Sequence, residues 1–164
     1  YRGVLFIGLM IDEHGDPYVV EFNVRFGDPE CQVTLPLVAT DMYDLLHGAA
    51  TDRLHEVELE VHDDVALTVV LASEGYPASP IKGRHIDGLS EILDEEAYGG
   101  AWINFAGVSQ DDDGHFIASG GRVLSCTAQG GDLQSTHDQA YALLHKITLE
   151  GGHYRTDIGH RAME

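Results

Sequence analysis

Residues 18–30, Tyr18-Val19-Val20-Glu21-Phe22-Asn23-Val24-Arg25-Phe26-Gly27-Asp28-Pro29-Glu30, pass from β-type composition into turn punctuation. Alternate residues of a strand share a face, so Val20, Phe22 and Val24 project to one side and Glu21, Asn23 and Arg25 to the other. One face is apolar and the other chemical. Gly27 and Asp28-Pro29 break the strand, because Pro29 disfavours a helical Asp28. Upstream, Val4-Leu5-Phe6-Ile7-Gly8-Leu9-Met10-Ile11 is a continuous apolar run closed by Asp12-Glu13-His14-Gly15-Asp16-Pro17. Two strand-like runs around that turn predict a β-hairpin.

Further along, Asp41 reads as the N-cap of a helix over Met42 to Ala50, with Met42, Leu45, Leu46 and Ala49 at helical spacing. Thr51 to Asp64 is polar and acidic with Val57, Leu59 and Val61 alternating, which fits either a linker or an edge strand. Beyond it the pattern changes. Val65 to Ala72 reads as a buried strand, and further strands fit Ala101 to Val108, Phe116 to Ala118 and Val123 to Ala128. Asp111-Asp112-Asp113-Gly114 and Gly120-Gly121 separate them. Asp132 caps a final helix through about Ile147, and Gly151-Gly152 stop it. The expected fold is α+β: a β-hairpin plus helix over residues 1–60, then a small β-rich module with a C-terminal helix over 61–164.

Charge narrows the function. Against 9 Lys and Arg stand 28 Asp and Glu, a formal net charge of −19, which repels a polyphosphate backbone and disfavours nucleic-acid binding. The excess fits a high-salt or acid-tolerant habitat, or an acidic piece whose basic partner lies elsewhere in a parent chain. No apolar run approaches the roughly 18–20 residues of a membrane span, so no membrane is expected and the chain reads as soluble and cytoplasmic. Tyr1-Arg2-Gly3-Val4-Leu5 lacks an initiator Met and already reads as a strand, which suggests a segment of a longer polypeptide. Cys31 and Cys126, in strand-like or turn contexts, read as free thiols. The ten histidines are scattered without a repeated ligand spacing, which argues against a structural zinc site.

On the polar face of the second strand, oxygen donors at Glu21 and Asn23 stand about 6.5–7 Å apart along the chain. Mg²⁺ keeps waters and substrate phosphates in its octahedron, so one carboxylate and one amide oxygen suffice from the protein. Arg25 offers a planar fork to a phosphate or acyl phosphate beside them. The same alternation also describes the solvent face of any hairpin strand.

The run Val20-Glu21-Phe22-Asn23-Val24-Arg25-Phe26-Gly27-Asp28-Pro29-Glu30-Cys31-Gln32 resembles the metal-binding signature of the phosphoribosylamine–glycine ligases, ATP-grasp enzymes of purine synthesis also called glycinamide ribonucleotide synthetases. Tyr1-Arg2-Gly3-Val4-Leu5, Val70 to Pro77, Gly120-Gly121-Arg122-Val123-Leu124 and Tyr154 to Ala162 resemble the same family. The continuation Arg25 to Glu30 separates it from other ATP-grasp enzymes that share the Glu-x-Asn core.

The resemblance implies that residues 1–60 are the C-terminal part of an ATP-grasp domain and 61–164 the C-terminal domain of the ligase. It implies ATP, glycine and 5-phosphoribosylamine as substrates, Mg²⁺ or Mn²⁺ as cofactor, and a remaining N-terminal part as partner. Glu21 and Asn23 become the metal ligands and Arg25 the residue that steadies the transferring phosphoryl group. Asp28 and Glu30 orient substrate amine or Arg25, or merely cap the turn. Many ATP-grasp enzymes carry a further acidic ligand before the hairpin, where this chain has Gly8. The expected activity is therefore that of a ligase fragment, inactive alone. A different class of function is an acidic, non-catalytic binding or scaffold module derived from an ATP-grasp protein.

Three other features have plain readings beside functional ones. Gly120-Gly121 suits a tight turn better than an anion-binding nest. Gly75-Tyr76-Pro77 and Lys82-Gly83-Arg84 are either cleft-facing or solvated loops. No Gly-x-x-x-x-Gly-Lys-Ser/Thr loop or nucleophile elbow is present.

Overall fold

A computed structural model describes residues 1–94 and 99–163, and the chain divides into two units, Tyr1–His62 and Asp63–Glu164.

In the first unit, β1 (Phe6–Ile11) pairs antiparallel with β2 (Pro17–Asn23). Asp12 closes the turn between them, its Oδ1 accepting the backbone N–H groups of His14 at 2.8 Å and Asp16 at 2.9 Å. Phe6 stands opposite Asn23, Gly8 opposite Glu21, and Leu9 opposite Val19, so Val20 is the extra residue of a β-bulge. The second strand ends at Asn23, and the Asp28 to Glu30 turn leads straight into α1 (Cys31–Leu37). That helix has no counterpart in the sequence reading, and it places Cys31 on a helix instead of a strand or turn. The cause is local: Pro36 sits inside it and disguises a helix that ends one residue later.

α2 (Met42–Ala50) begins as expected, with the Asp41 carboxylate accepting the Tyr43 N–H at 2.8 Å. Residues 51–64 are neither a plain linker nor a full edge strand. They hold a single 3-10 turn, Leu54–Glu56, and one bridge from Val61 to Val38. The Thr40 hydroxyl fastens this return, donating to Glu58 O at 2.9 Å and accepting from Glu60 N at 2.7 Å.

The second unit is built on a three-stranded antiparallel sheet, β3 (Val65–Ala72) and β5 (Ala101–Phe105) flanking β8 (Arg122–Gly130). Between them in sequence come β4 (Ile86–Asp87), α3 (Leu89–Asp94), β6 (Val108–Gln110) and β7 (Phe116–Ala118); after them come α4 (Leu133–Leu144), β9 (Thr148–Leu149) and α5 (His160–Met163). Leu67, Val69 and Leu71 align with Ala128, Cys126 and Leu124 on one face, and they join Ala140, Leu143 and Leu144 of α4 in the core. The opposite face carries a polar cluster among Ala66, Val70 and Trp102. There Thr127 Oγ1 meets the Thr68 hydroxyl at 2.7 Å and accepts from Asn104 Nδ2 at 2.8 Å. Burial pushes the Cys126 thiol up to about 12, and both cysteines are free.

Two boundaries move. The strand expected over Ala101 to Val108 stops at Phe105, because the chain reverses where Gly107 approaches Gly120: a Cβ on Gly107 would lie 2.6 Å from Gly120 Cα. The helix expected to be the last, α4, ends at Leu144, three residues early, and the short α5 follows it. Past Leu144, Lys146 N and Ile147 N bond to Leu143 O and Leu144 O, so the winding tightens to three-residue spacing.

Candidate metal and phosphate site

The register of the hairpin decides which side chains share a face. Glu21 lies directly opposite Gly8, and its Cγ is 3.2 Å from where a Gly8 Cβ would stand. The carboxylate stem therefore crosses the strand over Gly8. Arg25 Nη2 donates to Asn23 Oδ1 at 3.4 Å, and Nη1 to Phe26 O at 2.8 Å. Glu21 and Asn23 thus alternate on β2, whereas Arg25 lies two residues past its end and reaches back to Asn23 Oδ1.

Asn23 is half-buried, and its Nδ2 is shielded from solvent with no acceptor among the described residues. Asn23 Oδ1 has one long contact, from Arg25 Nη2 at 3.4 Å, which leaves its second lone pair for a ligand. The donor set of one exposed carboxylate and one amide oxygen suits a hard divalent cation that keeps water and phosphate oxygens as its other ligands. Mg²⁺ fits that set; a thiophilic metal does not.

The turn that follows divides its two carboxylates. Asp28 accepts from Gln32 Nε2 at 3.3 Å, an early-helix contact. Glu30 folds back, with Oε2 only 2.6 Å from the position of a Gly27 Cβ, beside the Phe6 ring at 2.9 Å from that same point. Phe6 is the cross-strand partner of Asn23, so Glu30 comes toward that end of the hairpin. A Cβ at Gly27 would displace the Glu30 carboxylate and press on the Phe6 ring, a constraint visible only in three dimensions.

The remaining glycine pair has a structural duty. Ser73 N donates to Gly121 O at 2.8 Å and Ser73 Oγ to Gly120 O at 2.8 Å, so the pair presents carbonyls, as a turn does. Lys82-Gly83-Arg84 is tied down too: Gly83 N donates to Ala118 O at 2.7 Å, and Arg84 Nη1 meets Glu74 and Glu150 O at 2.5 and 2.6 Å.

Residues 66–161 match the family described as phosphoribosylglycinamide synthetase, C domain, and residues 1–31 match its ATP-grasp (A) domain. The chain belongs to the phosphoribosylglycinamide synthetase family. The phosphoribosylamine–glycine ligase of Mycobacterium bovis is 47% identical over 100% of this chain and 37% of its own length. The chloroplastic phosphoribosylamine–glycine ligase of Arabidopsis thaliana is 44% identical over 99% of the chain and 30% of its own length. The crystal structure of phosphoribosylamine–glycine ligase from Thermotoga maritima superposes with a TM-score of 0.72 at 36% identity, covering 93% of this chain and 36% of that one. N5-carboxyaminoimidazole ribonucleotide synthetase of the same organism shares the fold at a TM-score of 0.53 and 17% identity, covering 90% of this chain and 37% of that one. The chain therefore spans well under half the length of these relatives. Among the described residues, no helix is long and apolar enough to cross a membrane.

Proposed function

We propose that this chain carries the metal-anchoring strand and the C-terminal module of a phosphoribosylamine–glycine ligase. What supports the reading is the placement of Glu21 and Asn23 two residues apart on β2, with Arg25 reaching back to Asn23 Oδ1 at 3.4 Å, in a chain of this family. In the reaction, a glycine carboxylate oxygen attacks the γ-phosphorus of ATP, the bond to the β,γ-bridging oxygen breaks, and ADP departs. The amine of 5-phosphoribosylamine then attacks the acyl carbon of the glycyl phosphate, phosphate leaves, and the new amide nitrogen gives up a proton. No protein nucleophile is required.

Glu21 and Asn23 would hold Mg²⁺ or Mn²⁺, which when bound supplies charge neutralisation and alignment of the triphosphate oxygens. Arg25 turns from Phe26 O and Asn23 to place fixed positive charge against the phosphoryl oxygens. Glu30, folded over Gly27, and Asp28 orient Arg25 or the incoming amine. The exposed apolar residues of the hairpin, Met10, Val20, Phe22 and Val24 at 62–71% exposure, pack in our reading against the N-terminal part that the relatives possess. The enzyme acts in the cytoplasm.

Two measurements test this. In a ligase completed to the length of its relatives, Glu21→Ala should lower kcat/KM by about a hundredfold or more, with partial recovery at raised Mg²⁺. The isolated chain should show no ADP release with all three substrates. An unimpaired Glu21→Ala enzyme, or turnover by the chain alone, overturns the proposal.

A further inference from the structure

His85, Asp111 and His115 are far apart or unremarkably spaced in sequence, yet they form the one three-membered group of metal-type side chains among the described residues. The backbone brings them together on three adjoining segments. His85 bridges Ile117 across the edge of β7, and the pairing is extended by Gly83 N to Ala118 O at 2.7 Å and Ala118 N to Arg84 O at 2.8 Å. His115 precedes that same strand by one residue and shares the face of Ile117 by alternation. Asp111 N donates to His115 O at 3.0 Å at the end of the β6–β7 hairpin.

The carboxylate of Asp111 is oriented by the hairpin itself. Its Oδ1 accepts the N–H groups of His115 at 2.8 Å and Asp113 at 3.0 Å. The other oxygen, Oδ2, faces His85 Nε2 at 3.6 Å and His115 Nδ1 at 3.5 Å. Those separations are too long for hydrogen bonds, whose usual span is about 2.7–3.2 Å. They match a different geometry. With metal–ligand bonds of about 2.0–2.2 Å, two corners of a tetrahedron stand about 3.3–3.6 Å apart. The ligand atoms all lie within 4.8 Å of one another, so a rotation of one exposed imidazole closes the third edge. Hydrogen bonds from His115 N–H, then from Asp113 N–H, also hold the Asp111 carboxyl below its ordinary range and keep it ionised.

We propose that His85 Nε2, His115 Nδ1 and Asp111 Oδ2 form a three-ligand site for a zinc-class divalent transition metal, with water in the fourth position. Two imidazoles and one carboxylate are the borderline-soft donor set of Zn²⁺ and Co²⁺, not of Mg²⁺. An ion there cross-links the segment at His85 to the β6–β7 hairpin. The site is independent of the ligase reading, since it uses neither Glu21 nor Asn23 and its test contains no substrate.

Chelator-stripped chain is titrated with ZnCl₂ by calorimetry in excess Mg²⁺, and with CoCl₂ by visible absorption. The expected result is one tight equivalent with tetrahedral-type Co²⁺ bands, weakened about tenfold or more in both His85→Ala and His115→Ala, and unchanged in His145→Ala. Both imidazoles are more than half exposed, so these variants should fold, as circular dichroism will check. On the unaltered chain, sub-stoichiometric Zn²⁺ should shift the imidazole NMR signals of His85 and His115 before any others. No binding by the unaltered chain, equal affinity in all variants, or first shifts at other histidines overturns the site.

Discussion

The two units differ in what they bury. Every fully buried apolar side chain among the described residues lies between Leu67 and Leu149, in the second unit, where Leu89, Val123, Cys126, Ala128 and Ala140 have essentially no exposure. In the first unit the buried residues are Gly27 and Gly48, and hairpin residues such as Val20, Phe22 and the following Val24 are 62–71% exposed. Burial of apolar surface is the main favourable term in folding. The second unit therefore carries its own stability, whereas the first carries the candidate chemistry on a hairpin with little core beneath it.

The sharpest way to break that contrast is a truncation to alanine in the core. Leu143→Ala, at a position 2% exposed, should cost about 2–5 kcal/mol in denaturant unfolding of the chain. A loss under 1 kcal/mol there would mean that the helix α4 does not carry the core. Next in size, Thr127→Val removes the hydroxyl shared by Thr68 and Asn104 and leaves them only the longer contacts to Cys126 O at 3.4 Å and Ser125 Oγ at 3.5 Å, for about 0.5–1.5 kcal/mol. A neutral Thr127→Val would show that the polar sheet face is already wet.

A smaller effect belongs to the cap of α4. The Asp132 carboxyl lies below its ordinary value, first because the Ser135 hydroxyl donates to it and then because the Ser135 N–H does. A depressed carboxyl stabilises the fold above its unfolded pKa and loses that contribution as pH falls through the folded value. Acid titration of wild-type chain should thus destabilise it over a range in which Asp132→Asn changes less; parallel curves would remove the cap from the account. The smallest effect sharpens the contrast from the other side. Phe22→Ala should change the stability of this chain by less than about 0.5 kcal/mol, while lowering the melting temperature of a full-length ligase. A large loss in the chain alone would reveal a core that the first unit is not credited with.

Much of this was legible in the sequence because the signals are local. Asp41 and Asp132 cap their helices where Asn/Asp-type N-caps precede apolar periodicity, and both carboxylates accept backbone N–H groups at 2.8–2.9 Å. The hairpin followed from two apolar runs about a six-residue turn sequence, Asp12 to Pro17. What escaped depends on contact or on short elements. α1 hides a proline in its last turn, and the two-residue pairing of β4 with β9, Ile86 opposite Leu149, has no periodicity to read. The candidate site was partly legible: alternation picks out Glu21, Asn23 and Arg25, but only register shows Gly8 beneath Glu21 and Glu30 over Gly27. The His85, Asp111 and His115 grouping was invisible, because strand pairing and not spacing assembles it.

Gly8 leaves little room above its rung of the hairpin. A Cβ there would stand 3.2 Å from the Glu21 Cγ, so a side chain at position 8 must push that stem aside by a few tenths of an ångström. Gly8→Asp should therefore crowd the carboxylate across from it. An ion resting on such a rung must draw its remaining oxygens from the nucleotide and from water, which ties its residence to the arrival of the triphosphate.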